Sequence, residues 1–177
     1  MAIIKKGITY DGTPVNTLTY GGTQVKEVWY GTDKLVYFYG EGTQGLSYTK
    51  TGSSLQVSGY GGLTSGVIII PEKTYEFLDK NVVYAVEGIG EGAFLNNTVL
   101  KTIGIKSCSY IYPNAFKGCT NLTGALFPLK SGSTYYTWSV LNPDTGLSYV
   151  IDPNSSGFDG AKLLTDTYVG WQWTRNN

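Results

Sequence analysis

The chain contains no histidine. The side chain that most often moves protons near neutral pH and most often holds a metal is therefore missing, and a Ser-His-Asp or Cys-His hydrolase is excluded. Cysteine is nearly absent: Cys108 and Cys119 are the two in 177 residues, too few for a disulfide framework, and no second pair completes a zinc site. Both read as small buried hydrophobes. Charged residues make up only 15%, and 13 basic residues cancel 13 acidic ones. An average soluble domain carries roughly 25%. With no field of one sign, nucleic acid is disfavoured as a partner. No apolar run follows Lys5 and Lys6, so the N-terminus does not read as a secretory signal. The longest apolar stretch, GVIII at 66–70, is too short to cross a bilayer. These features predict a soluble protein, not exported by the usual route and not inserted into a membrane.

Glycine (24) and tyrosine (15) are abundant, a balance that favours strands and tight turns over solvated helices. The N-terminal arm repeats every ten residues: ITYDGTPVNT (8–17), LTYGGTQVKE (18–27) and VWYGTDKLVY (28–37). Ile8, Leu18 and Val28 form one column and Tyr10, Tyr20 and Tyr30 another, with a turn cluster in each unit. This is the pattern of consecutive hairpins, and it predicts a small antiparallel meander over residues 1–40. Such a sheet is marginal alone and needs something to dock on. Tyr10, Tyr20, Trp29 and Tyr30 are its candidate partner-binding residues. GEGTQG at 40–45 predicts a hinge, LSYTKTGSSLQVSGYGG (46–62) a hairpin around a Gly-Ser turn, GVIIIP (66–71) a buried strand, and 75–90 a second hairpin closing near 79–81.

A second repeat follows. IGEGAFLNNTVLKTIGI (89–105) and IYPNAFKGCTNLTGALF (111–127) agree in register at a spacing of 22 residues. Spacings of this size belong to solenoids, each unit giving one strand and a brief helical turn to a stack. Ala93-Phe94 and Ala115-Phe116 are expected in the helical turns. Leu100, Ile103 and Ile105 should line the strand of one unit, matched by Leu122, Ala125 and Phe127 in the next, with Asn97 and Cys119 at the bends. Residues 131–177 alternate aromatics between turns at 142–146 and 152–160, which predicts two or three strands capping the open end. The expected fold is thus mainly β: an N-terminal antiparallel β meander arm (1–40), entry hairpins and a short solenoid with brief helical turns (41–130), and a C-terminal β cap (131–177).

The run SGVIIIPEKTYE…YAVEGIGEGAFLNNTVLKTIGI…IYPNAFKGCTNLTGALFP resembles the leucine-rich repeats of the bacterial surface-antigen, or BspA-like, type. The resemblance covers about residues 46–130. It rests on Ile-Gly-x-x-Ala-Phe at 89–94, Cys-Thr-x-Leu at 119–122 and the strand 66–71. Asn97 stands where cysteine is usual, Lys106 replaces a proline, and two full units are present. The tandem Tyr-x-Gly-Thr-x-Val segments of the arm, and LLTDTYVGWQWTR at the C-terminus, are similar to accessory structural proteins of bacteriophages. That similarity implies a non-enzymatic virion protein, displayed on the particle as a head decoration or tail-tip fibre. Its partners would be other virion proteins, further copies of itself as a homo-oligomer, and a host-surface glycan or protein. A bacterial cell-surface adhesin is the alternative.

Few residues are candidates for chemistry, and no cofactor is called for. Glu87 with Glu91, and Asp152 with Asp159, have the composition of a glycosidase pair, but each acid also reads as a turn or dipole partner. DPNSSG at 152–157 matches the opening of a calcium loop, yet its twelfth position is Leu163 where a glutamate is needed. Two readings stand for Tyr135, Tyr136, Trp138, Trp171 and Trp173: a platform that stacks on sugar rings or grips a host protein, or aromatic packing over the end of the solenoid.

Overall fold

A computed structural model describes residues 43, 45–76, 79–105, 108–132 and 134–176, together with short strand segments between 9 and 40. In the arm these segments form three antiparallel ladders. β1 (Thr9–Tyr10) pairs with β2 (Thr13–Pro14), β3 (Thr19–Tyr20) with β4 (Thr23–Gln24), and β5 (Val28–Tyr30) with β6 (Asp33–Leu35). The ten-residue repeat thus makes hairpins as expected, but each is its own two-stranded sheet, so among the described residues they do not join into one meander. β7 (Phe38–Gly40) leaves that series. It pairs with β11 (Lys73–Glu76), inside the sheet of the following module. Beyond it, the Thr43 amide donates to the Ile69 carbonyl and the Ile69 amide donates to the Thr43 hydroxyl. The segment expected to hinge is tied to the stack at this point.

The module is a stack of three coils, one more than the sequence motif indicated. β8 (Ser47–Thr51) and β9 (Ser54–Gly59) form the expected hairpin, and β10 (Val67–Ile70) completes the first coil. The hairpin β11–β12, with β12 at Asp79–Ile89, is inserted before the second coil. This insertion hides the first coil from a search for the 22-residue spacing. The second coil runs from the end of β12 to β13 (Thr102–Ile105), and the third from β14 (Tyr110–Ile111) to β15 (Gly124–Leu126). Corresponding strands pair in parallel on two sides. Val57, Ile89 and Ile111 stand in one row, and Ile68, Ile103 and Ala125 in the other. Both rows point inward, and all but Ala125 are buried. Each coil therefore buries its apolar residues against its neighbours, as solenoid units must.

Between the strands, the Ala-Phe segments do not form helical turns. They run as successive tight turns: the Leu95 amide donates to the Gly92 carbonyl and the Asn97 amide to the Phe94 carbonyl, and 113–119 repeats this pattern. Gly92, Asn96, Asn114 and Gly118 have positive φ, a conformation that breaks a right-handed helix and that glycine and asparagine tolerate. The turns are stitched from coil to coil, with the Phe94 and Asn96 amides donating to the Ala115 and Lys117 carbonyls. Phe94 and Phe116 stack face to face at 5.1 Å, and Tyr60 extends the column below Phe94 at 6.4 Å.

The C-terminal third closes the stack. β16 (Lys130–Ser131) and β17 (Thr134–Tyr135) form a small ladder. β18 (Thr137–Leu141) pairs antiparallel with β19 (Ser148–Ile151) and with β20 (Gln172–Asn176). β20 then pairs antiparallel with β14, the last strand of its row in the coils. Between β19 and β20 lie the short helix α1 (Gly160–Lys162), capped by the Asp159 carboxylate, and one π turn (Leu163–Thr167). Where two or three capping strands were expected, the segment holds five with a short helix and a π turn, and three of them continue the sheet of the coils, leaving β19 as the terminal strand on that side.

Candidate functional site

Tyr10, Tyr20, Trp29 and Tyr30 place their backbones in the arm ladders, opposite Thr13, Thr23, Lys34 and Asp33 respectively. Their side chains lie outside the described residues.

The five aromatics expected near the C-terminus do not share one surface. Strand alternation turns Trp138 and Trp173 inward, where they are 0% and 1% exposed. Phe127 packs edge-on to Trp138 at 5.3 Å and lies 5.8 Å from Trp173. Neither tryptophan offers a ring face to a ligand, so for these two the packing reading holds and the contact reading is corrected. Tyr136 lies under the Arg175 guanidinium, 4.5 Å from ring to cation, while Tyr135 is exposed on the β16–β17 ladder. Trp171 is half-buried and belongs to a different group.

That group is a cluster of three rings on the surface of the cap. Trp171 stacks on Tyr149 at 5.9 Å and meets Tyr168 edge-on at 4.9 Å. Tyr149 is the outermost member of the inward-facing row, standing beyond the core where no further strand covers it. It remains 51% exposed. The sequence pointed to Trp171 but not to Tyr149 or Tyr168. Tyr149 carries the signal of alternation in SYVI, and Tyr168 sits three residues before Trp171. Leu147, two residues before Tyr149, is also exposed, while Val150, 66% exposed, and Leu141 point to the opposite face of the sheet. The cluster can stack on rings or pack against apolar side chains, and its phenols can hydrogen-bond.

Next to it, an open cleft of about 390 Å³ lies between β19 and the α1 region, with Val150, Ile151, Phe158, Lys162 and Leu163 among its lining residues. Asp152 and Asp159 also border it. The Asp152 carboxylate accepts from the Asn154 amide at 2.8 Å, and the Asp159 carboxylate accepts from the Lys162 amide at 3.0 Å. Each acid folds its own turn, as the alternative to a catalytic pair required. Leu163, the twelfth position of the calcium-like loop, is half-buried in the π turn. Glu87 accepts the Tyr110 hydroxyl at 3.2 Å while Glu91 is exposed on the first turn of its coil. Among the described residues no group of three metal-ligating side chains comes together.

Tyr110 lies over Gly88, where a β-carbon would meet its ring. Burial, and then the Glu87 charge, push its phenol above the ordinary value. Both cysteines are buried and unpaired with each other. Burial raises the Cys108 thiol to about 12, against a smaller opposing effect of Arg175, and raises Cys119 to about 11. Such thiols are poor nucleophiles. Cys119 instead donates to the Phe94 carbonyl of the coil below at 3.0 Å. Asn97, its counterpart one coil earlier, accepts from the Val99 and Leu100 amides, both at 3.0 Å.

No protein-family model matches the chain, and no curated protein is similar to it. Two solved structures are similar over half of it. One is a leucine-rich repeat protein from Bacteroides ovatus ATCC 8483: 27% identical, TM-score 0.42, covering 49% of this chain and 23% of that one. The other is a leucine-rich repeat protein from Bacteroides capillosus ATCC 29799: 20% identical, TM-score 0.34, covering 50% of this chain and 67% of that one. The chain thus spans less than a quarter of the first of these proteins.

Proposed function

We propose that this chain is a non-enzymatic attachment protein of a bacteriophage particle, held on the virion by its N-terminal arm and displaying the capped repeat module outward. The observation that carries this reading is the division of labour within one chain. Between residues 9 and 35 the described residues form three small ladders that share no sheet, each too small to be stable alone, and the module that follows closes its own core with a cap. An arm of that kind gains stability from what it docks on; a capped stack does not need to. The module offers ring faces and apolar surface at Tyr149, Tyr168 and Trp171, suited to holding a partner rather than to proton transfer.

Deleting residues 1–37, which spares β7 and its pairing with β11, should leave particles without the protein while the remaining chain still folds. Incorporation of the shortened chain would overturn the anchoring role. Location on the particle follows from a second measurement. If the protein sits at the tail tip, residues 38–177 added to host cells should bind them and block infection. If it decorates the head, the same fragment should do neither.

A further inference from the structure

We propose that the open edge of β19, with the cleft beside it, takes an extended segment of a partner protein as an added strand, with an apolar and a basic residue two apart on the face toward the cleft. The proposal goes beyond the virion reading and does not depend on it.

β19 is the terminal strand of its sheet. The Asn142 amide donates to the Leu147 carbonyl across the hairpin, and in an antiparallel pair the residues facing the partner alternate. Leu147, Tyr149 and Ile151 thus direct their backbone groups at β18, leaving Ser148 and Val150 to direct theirs at the open edge. The Arg175 amide, which donates to Ser109 on the opposite side of β20 from β18, fits the same alternation. Residues 148–151 contain no lysine, no proline and no bulge in their ladder. Exposed, uncharged edges of this kind are templates for another strand.

The cleft selects what that strand carries. Ile151, Phe158 and Leu163 give it apolar wall, while Asp152 and Asp159 set two carboxylates against the single cation of Lys162. Each carboxylate has one oxygen engaged with a turn amide. A strand laid along Ser148–Ile151 sends alternate side chains to one face. One apolar side chain on that face would meet the wall, and a basic residue nearby would meet the excess negative charge.

The test uses the full chain, ¹⁵N-labelled, titrated with a capped six-residue peptide, Thr-Val-Thr-Lys-Thr-Val, which puts valine and lysine on one face, and with its glutamate counterpart. The lysine peptide should shift the Ser148 and Val150 amides saturably and bind at least about fivefold tighter than the glutamate peptide. Val150→Pro removes an outward amide without touching the β18 ladder, and should weaken binding about tenfold while near-ultraviolet dichroism from the buried tryptophans stays native. Asp152→Asn keeps the turn acceptor and should cost the lysine peptide about threefold. Unshifted Ser148 and Val150 amides, equal binding of the two peptides, or shifts that follow protein concentration alone through a β19–β19 dimer would each overturn the proposal.

Discussion

In the coils, Val57, Ile89 and Ile111 stand side by side in parallel strands. In the cap, Trp173, Val140 and Tyr149 continue the same row in antiparallel strands. The first half of the row is aliphatic where coil meets coil, with Ile89 between Val57 and Ile111, because equal residues at equal offsets fill equal spaces. The second half turns aromatic because the cap must cover an end without being a further copy of it. Phe127, the last repeated residue, meets Trp138, Phe158 and Trp173 there. Repetition sets register cheaply, but it cannot end itself, and the terminating unit leaves rings exposed and an edge open.

The strongest perturbation of this contrast is Trp173→Ala. It removes the ring that joins Ile111 to the cap and should cost about 3–5 kcal/mol in urea unfolding; a loss under about 1 kcal/mol would mean that the coils do not depend on the cap. Within the coils, Leu100→Ala and Leu122→Ala should each cost roughly 2–5 kcal/mol. Leu100, 0% exposed, should cost more than Leu122 at 6%, and surface-like values at both would refute the stacked arrangement. Asn97→Cys installs the residue of the next coil at this position. It forfeits two acceptor bonds, one of them fully buried, and should cost about 1–2 kcal/mol, whereas a neutral result would make the two bends interchangeable.

A smaller effect comes from pH. The Cys108 thiol sits near 12 in the folded chain against an ordinary value of 9, so on raising the pH the unfolded chain ionises first. The thiol's contribution is whole below pH 9 and is lost progressively as pH rises toward 12. At pH 10 the loss is about 1 kcal/mol. Cys108→Ala should flatten the fall in melting temperature between pH 8.5 and 10.5, and an unchanged slope would remove Cys108 as its source. Tyr149→Ala should change stability least, by under about 1 kcal/mol, because that end of the row is already in water.

Much of the stack was legible because its signals are local. Ile89, Ala93, Phe94 and Leu100 recur one period later, and equal spacing in a chain that must bury both sets leaves few arrangements other than stacking. The helical turns were misread because apolar spacing alone does not report φ, and the positive φ of Asn96 and Asn114 breaks the turn that Ala-Phe suggested. The first coil was hidden because the β11–β12 hairpin stretches its distance from the second. The platform was misassigned for a related reason. Trp171 and Trp173 are two residues apart, yet Trp173 lies within β20 over the core, while Trp171 precedes the strand and joins Tyr149 and Tyr168 from elsewhere in the chain.

By itself the sequence determined the absence of histidine chemistry, the strand-rich character, the ten-residue hairpins of the arm and the 22-residue period of the coils, since each depends on residue type and near spacing. Tertiary structure decided which rings face solvent, which strand is last in the sheet and which carboxylates border one cleft. Those depend on long-range pairing: the register of β20 on β14 and of β18 on β20 fixes which side chains point inward, and no local pattern carries that register.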